Sequence, residues 1–509
     1  MSAGALEIVV RADASSSIGT GHVMRCLTLA KTLARSGHRV RFVCREHKGN
    51  LNDLLESAGF AVARLPGDTD GDPAEPGAGW ERDAAQTLDA FSDGKVDWLI
   101  VDHYRLDRRW QRRLRANVGK ILVIDDLADR PHDCDVLLDQ NFAVDATERY
   151  ATRIDRKTTL LLGPSYALLG PDYAALRPRT KARCGAPRRV LVSFGGVDPL
   201  GMTMRTVEAL LSLQDVDLEA DIVLTSTSDD YRRIAAMITG RSNIRLHDRV
   251  ASLAPFMLEA DVAIGAGGST HWERMCFGLP TLVVTVADNQ RAIAQALAGE
   301  GLIRWLGDAE DVGVEEIRAA IETLVQDGLD PEWSIRCMAL VDGRGADRVS
   351  AVLEAGPESV LVARHADLGD EDLLLEWAND PVTRANGYNP NPIARDDHVR
   401  WYRSRLGNKA GCRFHVVETA SGVPIGTVRF DDRGGEWEIS YAVAPAFRAR
   451  GLGRPMLRAA LRTFDGGTAA IIGQVKPDNA ASRRIFESLG FALRAGDADR
   501  LVFERQPRN

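Results

Sequence analysis

The sequence predicts an α/β protein with two doubly wound lobes, followed by a smaller α+β domain. Over residues 1–355, short apolar runs alternate with amphipathic stretches, a pattern typical of parallel sheets with helices on both faces. This rhythm restarts near residue 188, which indicates a second lobe. After a linker-like segment at 354–359, the strand pattern becomes antiparallel. A chain of 509 residues is long enough for three compact units. We expect them at residues 1–165, 166–355 and 360–509.

Strands in the two lobes are indicated by apolar runs rich in β-branched residues. In the first lobe they lie at 6–10, 40–44, 98–102, 121–125 and 136–140, and several end in Asp or another polar residue. In the second lobe they lie at 188–196, 220–227, 261–268 and 281–287. Residues 23–37 have helical periodicity and end at a Gly suited to a C-cap. The Gly-, Pro- and Asp-rich stretch 67–79 predicts a mobile surface loop. Lobes of this kind bind ligands at the carboxyl ends of their strands.

Composition and charge exclude several classes of protein. The 64 basic and 72 acidic residues give a net charge of −8, which argues against a general nucleic-acid binder. The N-terminus lacks the basic start and long apolar stretch of a signal peptide, and no run of about 18 apolar residues occurs. The seven scattered Cys include no CxxC pair and indicate reduced thiols. We therefore expect a cytoplasmic protein without nucleic-acid or membrane partners. The oligomeric state, monomer or homodimer, stays open.

The first group of candidate site residues follows strand 6–10. The turn carries Gly19 and Gly21 directly before an amphipathic helix, and glycines there let a ligand approach the backbone. His22 then lies at the start of the helix, inside the expected cleft. Its ring can abstract a proton near neutral pH, and the helix N-terminus favours its neutral form. From spacing alone, a capping or packing role for His22 is equally open.

The stretch 11–30, RADASSSIGTGHVMRCLTLA, resembles the opening of the UDP-sugar hydrolases of pseudaminic acid biosynthesis, which are related to GT-B glycosyltransferases. Further similar stretches lie at 101–107, 123–141, 163–173 and 193–199, so the resemblance covers nearly all of residues 6–355. It implies a GT-B-like pair of lobes that cuts UDP from a 2,4-diacetamido-2,4,6-trideoxy sugar with inversion.

The same resemblance implies that His22 activates the attacking water and that Asp13, Arg25 and Tyr104 line the cleft. From the residues alone, Asp13 is equally a turn-capping acid, and Tyr104 is equally a packing residue.

The second group of candidate residues surrounds a Gly-rich turn between strand 261–268 and a helix. Gly267, Gly268, Ser269 and Thr270 offer N–H groups and hydroxyls for a diphosphate, and would stabilise the departing UDP. The GT-B resemblance implies that Glu273 binds ribose hydroxyls, although a solvated helix acid is the alternative. It also implies that Asn289 binds substrate or takes part in catalysis. The further cleft residues expected are Gln290, Ser193, Gly195 and Gly196.

Two alternatives within these lobes concern the base and a metal. His271 is a second candidate base, ranked below His22 because it lies within the phosphate-binding segment. No carboxylate cluster suited to a metal-bridged diphosphate is evident, so we expect a metal-independent reaction. Asp125 and Asp126 are the nearest candidates, and we interpret them as a structural turn or a substrate contact.

The third group of candidate residues lies after residue 437. The segment 448–453, RARGLG, stands between a strand and a helix and resembles the acetyl-CoA motif of GNAT acetyltransferases. Residues 476–491 resemble the second GNAT motif. The resemblance implies acetyl-CoA as co-substrate, with backbone amides and the helix dipole holding its pyrophosphate. The expected binding residues are Val443, Arg448, Arg450, Gly451, Leu452, Gly453, Arg454, Asn479 and Ser482.

One departure from the GNAT pattern concerns the proton donor. Many GNAT enzymes use a Tyr, seven residues after the Asn, to protonate the CoA thiolate, and here that position is Phe486. Tyr441 or water are the alternatives. The acceptor pocket is expected to involve Glu376, Asn379, His398 and Trp401, each of which is otherwise a packing or surface residue.

Together these motifs predict a bifunctional enzyme. It would acetylate the 4-amino group of UDP-4-amino-4,6-dideoxy-N-acetylaltrosamine and then remove UDP by hydrolysis. A GT-B glycosyltransferase, an acetyltransferase for another amine, and a pair in which one domain only binds and regulates are the alternatives. The sequence does not fix the sugar stereochemistry, since legionaminic-type or spore-coat sugars need similar motifs.

Overall fold

The computed structural model describes residues 4–16, 18–67, 79–91, 94–196, 198–213, 216–387, 389–465 and 469–506. Apart from its two end residues, the loop expected at 67–79 lies outside these ranges. Backbone contacts divide the chain into two units, one spanning Leu6–Val349 and the other containing Ser350–Asn509. Each unit is described by itself.

The first unit contains two parallel sheets. The strands of the first sheet are β1 (Glu7–Ala12), β2 (Arg39–Arg45), β3 (Ala61–Leu65), β4 (Val96–Asp102), β5 (Val118–Ile124), β6 (Val136–Asp139) and β7 (Thr159–Leu162). Those of the second are β8 (Arg189–Ser193), β9 (Glu219–Val223), β10 (Ile244–His247), β11 (Val262–Ala266), β12 (Thr281–Thr285) and β13 (Arg304–Asp308). Their orders are β3-β2-β1-β4-β5-β6-β7 and β10-β9-β8-β11-β12-β13.

Helices connect these strands. In the first lobe they are α1 (Gly21–Arg35), α2 (Asn52–Ser57), α3 (Trp80–Asp89), α4 (Arg108–Leu114) and α5 (Ala146–Tyr150). The chain continues with α6 (Pro171–Leu176), α7 (Met202–Ser212), α8 (Tyr231–Met237), α9 (Ala254–Glu259), α10 (Thr270–Cys276), α11 (Asp288–Gly299), α12 (Val314–Asp327), α13 (Pro331–Leu340) and α14 (Gly345–Glu354).

The prediction of two doubly wound lobes is confirmed. The central strands β1, β4, β8 and β11 are almost entirely buried, as expected for parallel strands covered on both faces. In each sheet the strand order reverses once, between β1 and β4 and between β8 and β11. Ligands of open parallel sheets bind at this switch point, outside the carboxyl ends of the strands. The two switch points therefore mark where a site is expected.

Helix α14 packs against the segment that links the two sheets. The chain leaves the first sheet after Leu162, and Leu169 is already part of the hydrophobic core of the second lobe. Helix α14 begins against this crossing, because a Cβ on Gly345 would lie 2.2 Å from the carbonyl oxygen of Ala167. Arg348 on α14 donates a hydrogen bond to the Ser165 carbonyl at 2.8 Å. Gly345 thus lets the later segment pack directly on the earlier one.

The second unit contains one mixed sheet. Its strands are β14 (Leu361–His365), β15 (Cys412–Thr419), β16 (Pro424–Asp432), β17 (Glu436–Val443), β18 (Ala470–Val475), β19 (Ala492–Gly496) and β20 (Leu501–Arg505). The helices are α15 (Glu371–Asn379), α16 (Pro381–Asn386), α17 (Arg395–Gly407), α18 (Gly453–Thr463) and α19 (Ala480–Ser488). The order is β14-β15-β16-β17-β18-β20-β19, and β17 and β18 form the parallel pair among otherwise antiparallel neighbours.

The pairing of β17 with β18 ends before either strand does. Its last paired residues are Ile439 and Gly473, whereas the strands continue to Val443 and Val475. In the part of the chain that the structure describes, no helix is long and apolar enough to cross a membrane.

Candidate functional site

A cavity of about 190 Å³ lies between the two lobes of the first unit, at the switch points of both sheets. Nine of the residues predicted for the hydrolase site line it: Gly21, His22, Arg25, Tyr104, Gly267, Gly268, Ser269, Asn289 and Gln290. The structure thus brings the first and second groups of candidate residues together from opposite lobes.

Seven predicted residues are not among the described residues that line this cavity: Asp13, Gly19, Ser193, Gly195, Gly196, Thr270 and Glu273. Thr270 and Glu273 lie on α10, beside lining residues, and Ser193 is the last residue of β8. Gly19 forms a short bridge with Ser15 in the loop after β1. Their roles in binding or catalysis stay predictions.

A buried carboxylate orients His22. His22 is 6% exposed, and its Nδ1 lies 2.6 Å from Oδ1 of Asp102, which is 1% exposed at the end of β4. A guanidinium nitrogen of Arg25 also lies 3.2 Å from Nδ1. The Asp102 carboxylate is much closer and can only accept, while this Arg25 nitrogen donates to Asp102 at 2.7 Å, so we assign the Nδ1 proton of His22 as a donor to Asp102. Nε2 is then left as the basic nitrogen, which suits proton abstraction.

Arg25 links this pair to a second carboxylate. It donates to both oxygens of Asp102 at 2.6 and 2.7 Å, and to Oδ2 of Asp126 at 3.1 Å. Burial by itself would raise the pKa of Asp102, but Arg25 and His22 outweigh it and hold that pKa well below its usual range. Asp102 therefore stays ionised. Asp126 lines the cavity, which fits the second of its two interpretations, a substrate contact.

Tyr104 completes this wall of the cavity. Its ring stands edge-on to the ring of His22, with centroids 4.4 Å apart. Burial raises the pKa of the Tyr104 phenol above its usual value, and the nearby Asp126 carboxylate raises it further. The hydroxyl therefore stays protonated and acts as a hydrogen-bond donor.

Asp13 lies in a different environment. It accepts two hydrogen bonds from Arg11 at 2.6 and 2.8 Å and one from the backbone N–H of Arg45 at 2.7 Å. His103 Nε2 lies 3.3 Å from its other side. Burial opposes ionisation, yet Arg11 holds the pKa of Asp13 well below its usual range. The carboxylate is thus engaged within the first lobe, and a catalytic role for it stays a prediction.

The second lobe supplies the opposite wall. Gly267, Gly268 and Ser269 lie between β11 and α10, and all three line the cavity. Gln290 is fixed because its carbonyl oxygen accepts the backbone N–H of Val286 at 3.0 Å. Backbone amides in a turn of small residues suit an anionic ligand.

Glu273 is half-buried on α10. Burial raises its pKa to about 7, while a hydrogen bond from Tyr173 partly opposes this. The contact with Tyr173 favours a packed acid over a fully solvated one, and ribose binding by Glu273 stays a prediction. A neutral or readily neutralised carboxyl group is able to bind hydroxyl groups as donor and acceptor.

Sequence reasoning missed Asp102. Its signal was present, because several strand-like runs of the first lobe end in Asp, and Asp102 ends the run at 98–102. Within the described ranges, no group of three or more His, Cys, Asp or Glu side chains is placed to hold a metal ion. Metal independence stays a prediction.

The predicted acetyl-CoA loop lies between β17 and α18. Ala449 and Gly451 both have left-handed backbone, with φ of 58° and 74°, and a Cβ on Gly451 would lie 3.2 Å from Pro357. Arg448 is bound to Asp380 at 2.6 Å and to the hydroxyl of Thr383 at 2.7 Å. These contacts fix the loop at the start of α18, where an anion would meet free amides.

The second motif forms the start of α19. Asn479 caps the helix by accepting the N–H of Ser482 at 3.1 Å. The Tyr441 hydroxyl lies 2.8 Å from Oγ of Ser482. Phe486 is buried, and its ring centroid lies 4.9 Å from that of Phe491. Phe486 is thus a core residue, whereas Tyr441 carries a hydroxyl at the junction of the two motifs.

The four candidate residues for the acceptor pocket lie in different environments. Asn379 exchanges two hydrogen bonds with the backbone of Ile393, at 2.8 and 2.9 Å. The buried His398 bonds through Nε2 to the Glu371 carbonyl at 3.0 Å. Trp401 and Glu376 are exposed. The polar groups of Asn379 and His398 are therefore used in contacts within the domain. Acceptor binding by any of the four residues stays a prediction.

These features define a GT-B-like pair of lobes joined to a GNAT acetyltransferase domain. Residues 361–492 match the family model described as acetyltransferase (GNAT) domain. MurG from Acinetobacter baumannii resembles the chain in structure with a TM-score of 0.51 at 15% identity, over 69% of this chain and 99% of MurG. That likeness establishes the fold of the lobes alone. The predicted fold class is confirmed.

Curated relatives of the chain include two proteins named for sugar biosynthesis or hydrolysis of a sugar nucleotide, and one uncharacterized protein. Over 505 residues the chain is 20% identical to the uncharacterized protein MJ1062 of Methanocaldococcus jannaschii, with 96% of each covered. It is 24% identical to the UDP-2,4-diacetamido-2,4,6-trideoxy-beta-L-altropyranose hydrolase of Campylobacter jejuni, over 58% of this chain and 97% of the relative. It is 29% identical to the spore coat polysaccharide biosynthesis protein SpsG of Bacillus subtilis, over 33% of this chain and 50% of SpsG.

Proposed function

We propose that the chain is a bifunctional enzyme that N-acetylates a UDP-4-amino sugar and then hydrolyses UDP from the product. The observation that carries the hydrolase half is the His22–Asp102 pair, which faces the Gly267–Ser269 turn across one cavity. A base on one wall and anion-binding amides on the other suit displacement of a diphosphate by water. The similarity to a UDP-sugar hydrolase over 297 residues supports this assignment.

The proposed hydrolysis is a single displacement. Nε2 of His22 takes a proton from water, and the water oxygen forms a bond to the anomeric carbon. The bond from that carbon to the diphosphate oxygen breaks, and its electron pair leaves with UDP. Asp102 holds the His22 tautomer and stabilises the imidazolium that forms, which is the usual role of a carboxylate behind a histidine base.

The proposed acetyl transfer takes place in the GNAT domain. The sugar amine attacks the thioester carbonyl of acetyl-CoA, the carbon–sulfur bond breaks, and CoA leaves as a thiolate that takes up a proton. The loop with Gly451 and the capped start of α19 would hold acetyl-CoA. The likeness to MJ1062 extends through both units of the chain, which supports a functional pairing of the two activities.

The test uses the purified full chain with UDP-4-amino-4,6-dideoxy-N-acetyl-β-L-altrosamine, with and without acetyl-CoA. Free CoA, UDP and sugar are followed by NMR. We expect CoA release, followed by UDP release and an inverted free sugar. His22→Ala is expected to abolish UDP release while CoA release continues. A folded chain that releases neither product from this sugar refutes the assignment.

Two alternatives have support of their own. The MurG-like fold favours a glycosyltransferase, and UDP release in water without an acceptor sugar would exclude a strict transferase. The similarity to SpsG favours a spore-coat sugar. Running the same assay with stereoisomeric UDP-amino sugars separates this alternative, since the true substrate has the highest kcat/KM.

A further inference from the structure

His271 is a buried histidine, and one of its two ring nitrogens lacks a hydrogen-bond partner among the described residues. It is 1% exposed, yet it borders the cavity next to the Gly267–Ser269 turn. Its Nδ1 lies 3.3 Å from a guanidinium nitrogen of Arg274. Within the described ranges, its Nε2 has no hydrogen-bond partner. A buried polar atom without a partner needs an explanation, because leaving it unsatisfied is costly.

The tautomer of His271 follows from Arg274. A guanidinium has only donors, so Nδ1 must accept and the ring proton must reside on Nε2. Burial, with Arg274 as the second cause, holds the pKa of His271 well below its usual value. The ring is therefore neutral and presents an N–H donor. It cannot act readily as the base that the sequence left open, because its accepting nitrogen is occupied by Arg274.

Nε2 of His271 lies beside Gly267 and Gln290. A Cβ added to Gly267 would lie 3.3 Å from Nε2 of His271 and 3.4 Å from Cβ of Gln290. Both Gly267 and Gln290 line the cavity. Because residue 267 has no Cβ, no side chain of that residue crowds Nε2, and a ligand oxygen that enters the cavity beside this turn would meet it as a donor. Only an acceptor fits this donor, and an anionic oxygen fits it best.

We propose that His271 donates its Nε2 proton in a hydrogen bond to an oxygen of the diphosphate of the UDP-sugar, and so stabilises UDP as it leaves. This inference rests on the proposed hydrolase function. The proton stays on Nε2 throughout, while the bond from the anomeric carbon to the diphosphate breaks and its electron pair passes to the diphosphate. His22 thus deprotonates the water from one wall of the cavity, and His271 donates a hydrogen bond to the leaving group from the other.

The test compares His271→Phe, which keeps a flat ring without a donor, with the wild-type chain. His247→Phe is the matched control, because His247 lies on β10 of the same lobe and is not among the described residues that line the cavity. Binding of UDP and of uridine is measured by calorimetry. We expect His271→Phe to weaken UDP binding about tenfold and to leave uridine binding unchanged, as expected for one charge-assisted hydrogen bond to phosphate. His247→Phe should bind both like the wild type.

The outcomes separate the inference from the proposed function. A wild-type chain that binds no UDP refutes both. A wild type that binds UDP, with His271→Phe equal to it, overturns the role of His271 alone. Equal weakening of uridine and UDP also overturns it, because the contact would not be to phosphate.

A second measurement keeps the test valid if His271→Phe does not fold. In wild-type protein with ¹⁵N-labelled histidine, the ring nitrogens report the tautomer directly. We expect His271 to be neutral with its proton on Nε2 at pH 7, and that proton resonance to move downfield when UDP is added. A proton on Nδ1, or no response to UDP, would overturn the proposal.

Discussion

Replacing Asp102 with Asn tests whether the carboxylate behind His22 sets its tautomer. The two side chains have the same shape, but the amide nitrogen of Asn donates and cannot accept. Asp102 now accepts from His22 on one oxygen and from Arg25 on both. In either orientation of the Asn amide, its NH₂ group would face a donor: His22 and Arg25 at one position, or Arg25 at the other. The variant therefore either frees the His22 tautomer or loses the Arg25 contact.

The expected magnitude follows from these contacts. With the tautomer released, Nε2 of His22 carries a proton in much of the population, and we expect kcat for UDP release to fall by about 1,000-fold, within the range for a carboxylate that orients a histidine base. Stability should fall by about 3 kcal/mol, the lower end for breaking a buried ion pair, because Arg25 keeps its contact with Asp126 at 3.1 Å.

The assay is UDP release under saturating substrate, combined with thermal unfolding. Asp221→Asn is the matched control, since Asp221 is also a buried carboxylate bound to a histidine, His247 at 2.8 Å, but is not among the described cavity residues. It should lose stability and keep kcat. A folded Asp102→Asn protein whose kcat lies within threefold of the wild type would refute the reasoning.

Four further predictions follow from the two sites. Gly451→Val should raise KM for acetyl-CoA at least tenfold without changing UDP release from the acetylated sugar. The reason is that residue 451 has φ of 74° and that its Cβ would crowd Pro357. Equal loss of both activities would contradict this prediction. Tyr441→Phe should slow CoA release about 100-fold if its hydroxyl protonates the thiolate, whereas Tyr402→Phe should not, and an unchanged rate would leave water as the donor. Glu273→Gln should stabilise the protein more at pH 8 than at pH 5, because burial raises the Glu273 pKa to about 7. The contribution of Glu273 to the stability of the wild type is fully present below about pH 4 and is lost as pH rises through about 7. Melting temperatures of variant and wild type at both pH values check the sign. Excess EDTA should leave the rate of UDP release unchanged, and a loss restored by a divalent cation would refute metal independence.

Features that are local in sequence could be predicted from it. The alternation of strands and helices, the Gly-rich turns and the GNAT loops each fall within short segments, so periodicity and composition are enough to locate them. For the same reason Phe486 could be recognised as a departure from a motif. Nine of the predicted hydrolase residues do line the cavity, because the ends of parallel strands meet at one edge of a sheet.

Features that depend on distant partners could not be predicted. His22 and Asp102 lie 80 residues apart, and their contact depends on β4 pairing directly with β1. Asp13 directly follows β1 in the position expected of a cleft residue, but Arg11 near the end of that strand already binds it. The role of His271 was open to interpretation as a base until the position of Arg274 assigned its tautomer. In each case the role of the side chain depends on a hydrogen-bond partner that the local sequence pattern does not reveal.

The contact between Gly345 and Ala167 has a mechanical consequence. A Cβ at residue 345 would lie 2.2 Å from the Ala167 carbonyl oxygen, so a larger side chain there would push the start of α14 away from the segment that links the two sheets. Gly345 is not among the described residues that line the cavity, so a substitution there would change the packing of the first unit without removing any group that faces the ligand.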